Sequence, residues 1–194
     1  LGIGVSLAIN DLNLLRSAFL NFLVMVFLSI STASLFFLLF PLQQESSELL
    51  SRTSPDIRDV FIAFFGGAAL AVAKTKKGTI ASVIYGVAIA TALMPPLCTI
   101  GYGISQLNLK YAVGAFYLFS INATYIAFAS FVVIKILRFP MIKYVNSAKR
   151  RLISYIVTIL AVAVMVPAFY TFNSALEESR FKIQANKFIT EHVS

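Results

Sequence analysis

The chain is poor in the groups that soluble enzymes work with. Its 194 residues hold eight carboxylates, one histidine, one cysteine and no tryptophan. Cys98 sits inside an apolar stretch and His192 lies at the far C-terminus, so neither a disulfide framework nor a metal cluster can be assembled. There is no phosphate-cradling glycine loop, no HExxH, no pair of carboxylates within an apolar run, and no apolar-run serine beside a histidine or lysine base. Without a nucleophile and base, hydrolytic or transfer chemistry has nothing to run on, so no enzymatic activity and no cofactor are expected. Charge as a whole is scarce, at 12% of residues against about 25% in ordinary globular domains.

What fills the space is hydrocarbon. Hydrophobic residues make up 59% of the chain, with 18 phenylalanines, which places it among integral membrane proteins. The net charge of +8 does not point to nucleic acid, because the cations cluster in short links between apolar runs, where the positive-inside bias accounts for them. The partners implied are the lipid bilayer and a small solute or ion, and small-residue faces admit a homo-oligomer.

Apolar runs long enough to cross a bilayer are read at 18–40, 57–73, 79–107, 111–137 and 152–172. Residues 1–10 are apolar too, but as a helix they rise only about 15 Å, half a hydrocarbon core. They are expected to be the tail of a span that starts upstream, and they lack the charged flank and cleavage site of a signal peptide. The expected fold is therefore an all-α, polytopic transmembrane bundle of five full spans plus a truncated first one, over residues 1–172. An amphipathic extension follows at 173–194, where Glu177, Glu178, Arg180, Lys182, Lys187 and Glu191 alternate with apolar residues.

Loop charge orients the spans in a cell (cytoplasmic) membrane. Lys74, Lys76 and Lys77 occupy one link, and Lys135, Arg138, Lys143, Lys149, Arg150 and Arg151 another; both are expected on the cytoplasmic side. The acid-containing stretch 45–59 then falls outside, and the link with Asp11 and Arg16 inside. Tyr102, Tyr111, Tyr144, Tyr155 and Tyr170 fall near span ends, as an interfacial belt would place them.

The run TIASVIYGVAIATALMPPLCTIGYGISQL (79–107) carries two adjacent prolines at its middle. Pro95 and Pro96 have no N–H, so the carbonyls of Thr91 and Ala92 lose their partners one turn on. No water can replace those bonds in lipid. Two accounts fit. The run breaks into two half-helices, whose freed carbonyls and the amides of Leu97, Cys98 and Thr99 line a solute pathway. Alternatively it is a packed kink whose freed groups are met by neighbouring side chains. The pathway account enlists Thr91, Ala92, Pro95, Pro96 and Thr99, together with Asn122 and Thr124 on the next span. Asn122 is equally a neutral ligand or interhelical glue, and for Asn21 glue is the better account. Gly66-Gly67-Ala68-Ala69 reads as a close helix contact.

Charge at a span mouth concentrates in 48–59. Ser54 or Asp56 suits a helix cap, Pro55 a turn, and Asp59 a favourable first-turn charge. The alternative account joins Glu48, Arg52, Asp56, Arg58 and Asp59 into an ion-pair gate or an access site for a charged solute.

Sliding LGIGVSLAINDLNLLRSAFLNFLV onto PLCTIGYGISQLNLKYAVGAFYLF pairs Ile9 with Ile104, Leu12 with Leu107, Asn13 with Asn108, Leu14 with Leu109 and Leu23 with Leu118. Shared composition alone could produce such a match. A true repeat would run its two copies oppositely through the bilayer, the 3+3 inverted design of many secondary transporters.

The string GVAIATALMPPLCTIGYGI, preceded by ELLSRTSPDIRDVFIAFFGGAALAVA and followed by LFSINATYIAFAS, resembles the prokaryotic membrane family called domain of unknown function 389, over most of the chain, from Leu1 to about Leu137. The resemblance implies a second proline-interrupted element before residue 1 and, further upstream, a soluble domain. The chain departs from the family pattern in its acidic link, where Asp56 follows Pro55 directly, and in its short basic loop. The family name assigns no activity. Function is therefore expected from the residues: a transporter or channel-like protein using the proline site, or else a membrane anchor and oligomerisation scaffold for flanking soluble domains.

Overall fold

The computed structural model describes residues 1–40, 47–53, 56–75, 79–139 and single helical positions between 155 and 184. The expected span 152–172 and the extension 173–194 lie, apart from those single positions, outside the described residues, as do Tyr144, Ser54, Pro55, Lys76 and Lys77. Regular structure among the described residues is helical throughout: α1 (Gly2–Ile9), α2 (Leu12–Leu39), α3 (Ser47–Ser51), α4 (Ile57–Thr75), α5 (Thr79–Ser105) and α6 (Leu109–Ile136).

Three stretches are long and apolar enough to cross a membrane: Leu12–Leu39, Gly86–Ser105 and Leu109–Ile136. They mark the chain as a membrane protein. At 28 residues, α2 and α6 are each about 42 Å long, more than a hydrocarbon core, so they must tilt or emerge at their ends. α4 forms where a span was expected but is not among the three, because every eighteen-residue window in it holds Arg58, Asp59 and Lys74.

α6 is the hub. It packs against α4, α5 and α1, while α2 packs on α5 and α1. Twelve α6 side chains are buried, against one in α2, Ala33. The face α2 turns inward runs through Phe22, Met25, Ser29, Ala33 and Phe37, and the rest is exposed hydrocarbon such as Phe27 and Leu28. Asn21 lies off that stripe and is exposed, which corrects its expected role as interior glue: depth along a helix does not set the side chain's azimuth. Tyr102 is likewise no interfacial anchor. It is buried, edge-on to Phe37 and stacked on Tyr111.

Glycine sets the helix spacing. An α-carbon substituent at Gly67 would come within 2.8 Å of the Ile126 Cα on α6, whereas one at Gly66 meets nothing within 4 Å. Of the Gly66–Gly67 pair, only the second is the contact. Gly67→Ala should therefore destabilise by about 1–3 kcal/mol through overpacking, while Gly66→Ala should be neutral or gain up to ~1 kcal/mol of helix propensity; thermal unfolding of both variants side by side reads the difference.

Two turns in the fold are built alike. α1 ends in Asn10 at φ 63°, Asp11 caps α2 by accepting from the Leu14 N–H, and the Asp11 N–H bonds back to the Ser6 carbonyl. α5 ends before Leu107 at φ 52°, Asn108 caps α6 by accepting from the Tyr111 N–H, and the Asn108 N–H bonds back to the Gly103 carbonyl. Each is a left-handed helix stop followed at once by an Asx cap. Corresponding residues lie 97 positions apart, and in that register Ile3, Gly4, Leu12, Ala18, Phe19 and Phe22 coincide with Ile100, Gly101, Leu109, Ala115, Phe116 and Phe119. The match is two residues displaced from the one read by sliding the sequences. It extends to packing: Gly4 seats against Ala127 and Ser130 of α6, Gly101 against Ala33 and Ser34 of α2, and Phe22 and Phe119 stack on each other at 5.7 Å.

Candidate functional site

α5 runs unbroken from Thr79 to Ser105 with both prolines inside it. This corrects the expected pair of half-helices. One of the two freed carbonyls finds a donor thirty residues away: the Asn122 side-chain amide of α6 donates to the Ala92 carbonyl at 3.1 Å. That carbonyl is the acceptor that Pro96 leaves unpaired. A donor from the neighbouring helix thus stands in for the missing backbone N–H, and the helix continues.

The surroundings are closed. Pro96, Leu97 and Thr99 are all under 2% exposed and Asn122 is 8% exposed. Because the helix continues, the amides of Leu97, Cys98 and Thr99 face carbonyls one turn back and present no anion-binding terminus. The Thr99 hydroxyl donates to the Pro95 carbonyl at 3.1 Å. Thr91 is exposed, with its hydroxyl donating to the Val87 carbonyl at 2.6 Å. Of the seven residues assigned to a pathway, Ala92, Pro96 and Asn122 form one contact, Pro95 and Thr99 bond within α5, Thr91 faces out, and Thr124 lies elsewhere on α6.

Thr124 leads to what sequence reasoning missed. It lines a partly open cavity of about 800 Å³ between α1, α2, α5 and α6, with Arg16 and Phe19 exposed at its edge. Leu93 and Ala123, the neighbours in sequence of Ala92 and Asn122, belong to its wall together with Phe22, Met25 and Ile89. Among the described residues, Arg16 is the one charged residue in the lining. A void assembled from four helices leaves no linear signal; Arg16, a lone cation at the start of a Phe-rich span, was the one cue.

The residues assigned to a gate resolve into local pairs. Arg52, just past the end of α3, donates to the Glu48 carboxylate at 2.7 Å, with Arg52 partly and Glu48 well exposed. The Arg58 guanidinium stands 3.7 Å from Asp56, again exposed. Such pairs contribute little. Asp59 accepts from the Asp56 N–H at 2.8 Å, the return half of a capping box at the start of α4. No salt bridge joins the two pairs among the described residues. Gly114 of α6 receives the Thr53 carbonyl so closely that no side chain would fit, which seats this segment on the start of α6. The helix-cap account covers the described residues.

Comparison with curated proteins and with solved structures returned no match. The model of one family, described as "Domain of unknown function (DUF389)", matches residues 1–128. That span takes in α1 to α5, the proline pair and the Asn122 contact, and the chain belongs to this family.

Proposed function

We propose that this domain is a transporter-type membrane protein for a small solute, built from two inverted repeat units, with the α5–α6 contact as its closed gate. The observation that carries the reading is the cavity between α1–α2 and α5–α6, whose wall reaches the residues next to Ala92 and Asn122. Inverted-repeat transporters hold their substrate at the interface of the two units near mid-membrane. The paired turns, the two glycine seats and the shared residues 97 positions apart support the repeat. With residues after 140 forming a further span, the bundle has five full spans and one partial, and links 74–77 and 138–151 face the cytoplasm of the cell.

A continuous helix and a satisfied Ala92 carbonyl argue against a standing wet pore for ions through the prolines. Permeation then requires the Asn122 contact to open. In liposomes reconstituted with the full chain, Asn122→Leu should change solute flux by about tenfold, equivalent to ~1.4 kcal/mol on the closed state. Thr91→Val, which alters an outward-facing hydroxyl, should leave flux as it was. Absence of flux in the parent for cations, anions and small metabolites alike would overturn the reading.

The continuous α5 and the bonded Ala92 carbonyl favour a second reading, a membrane anchor and assembly scaffold that carries soluble domains. It requires no flux and a defined oligomer whose contacts run over the exposed face of α2.

A further inference from the structure

We infer that the cavity between α1, α2, α5 and α6 binds a single-chain anionic amphiphile, a long-chain carboxylate, with its chain among Phe22, Leu93 and Ala127 and its head group on Arg16. The inference deepens the transport reading by naming the solute class. The cavity, about 800 Å³, falls in the size range of small-molecule sites. Its lining is hydrocarbon apart from Thr124 and Arg16. A sugar, an amino acid or a hydrated ion would leave polar groups unpaired against that wall, at a cost of several kcal/mol. An alkyl chain would not.

The charge complement is equally specific. Among the described residues no acid lines the cavity and the one cation in its wall is a guanidinium, whose planar fork matches a carboxylate. Among the described residues the ion pairs are Arg52–Glu48 and Arg58–Asp56, so Arg16 is committed to neither. Arg16 sits in the second turn of α2, close to the helix start at Leu12. A head group there lies toward the membrane surface while the chain points inward, the usual attitude of an amphipathic group at an interface.

The test uses the full chain in nanodiscs of zwitterionic lipid, with a photoreactive palmitate and the matching uncharged alcohol as probes. Palmitate should label peptides containing Leu93 and Ala127. Arg16→Gln should weaken palmitate binding about tenfold, the loss of one charge-assisted contact, without changing alcohol binding, and Arg16→Lys should recover part of the loss. Leu93→Trp, which fills the cavity, should remove labelling by both probes. Labelling confined to the exposed face of α2, equal palmitate binding by Arg16→Gln, or displacement by an anionic phospholipid but not by palmitate would overturn the inference. Binding without flux leaves this site standing and sinks transport; flux of another solute without palmitate binding does the reverse.

Discussion

Asn122→Leu should destabilise the domain by about 1–3 kcal/mol, the cost of leaving a partly buried acceptor unpaired. Interhelical hydrogen bonds in membranes usually contribute less, around 0.6 kcal/mol, because the separated helices find other partners. Ala92 has no such recourse. Its carbonyl lost its own helical donor to Pro96, and its surroundings offer hydrocarbon: Leu93 is 6% exposed and Leu97 fully buried. Leucine has the branching of asparagine, with two slightly larger methyl groups in place of the amide O and N, so the change removes the donor without opening a void. Unfolding by denaturing detergent from mixed micelles, followed by helicity, gives the difference directly. A loss below ~0.5 kcal/mol would mean that the 3.1 Å contact is incidental.

Gly4→Ala should cost as much or more. Its new methyl would overlap the Ala127 carbonyl oxygen and the Ser130 hydroxyl oxygen. A backbone carbonyl in mid-helix cannot step aside as a flexible side chain can, so α1 must move away from α6, a displacement worth about 1–3 kcal/mol or more. Ser130 is fully buried and donates to the carbonyls of Ile126 and Ala127, so the whole seam is affected. Gly101→Ala makes the parallel experiment. Its methyl would come 2.5 Å from the Ala33 Cβ and 2.8 Å from the Ser34 nitrogen on α2. Because Gly4 and Gly101 each seat directly against a neighbouring helix, both variants should lower the unfolding midpoint, while Gly86→Ala, with nothing within 4 Å, should not. A midpoint unchanged by Gly4→Ala would show that α1 is not held against α6.

The helices at 57–73, 79–107 and 111–137 were legible in the sequence because hydrocarbon runs are local signals, whereas the start of α2 at Leu12 and the Asx caps at Asp11 and Asn108 were not read. The close contact within Gly66–Ala69 was legible from residue type, but which glycine makes it was not. The fate of the proline pair was not legible. Whether Pro96 breaks a helix depends on a donor thirty residues downstream, and nothing in the string MPPL says that Asn122 will reach Ala92. Asn21 failed for a related reason, since a carboxamide within an apolar run faces inward only if the packing stripe passes through it. The register of the likeness between the two turns was read two residues off, because the shared LNL triplets draw the eye more strongly than Gly4 and Gly101, whose places against their neighbours are set by packing. The cavity and its lone Arg16 needed four helices in place before they existed at all.

The measurement that bears most directly on this account is a double-mutant cycle between Asn122→Leu and Pro96→Ala. Alanine at 96 restores the N–H that Ala92 lacks, so the side-chain donor becomes redundant. The account predicts that Asn122→Leu, costly beside proline, becomes nearly neutral beside alanine, a coupling of about 1 kcal/mol or more. Equal costs in the two backgrounds would contradict it, for then Asn122 would not be standing in for the proline's missing hydrogen bond.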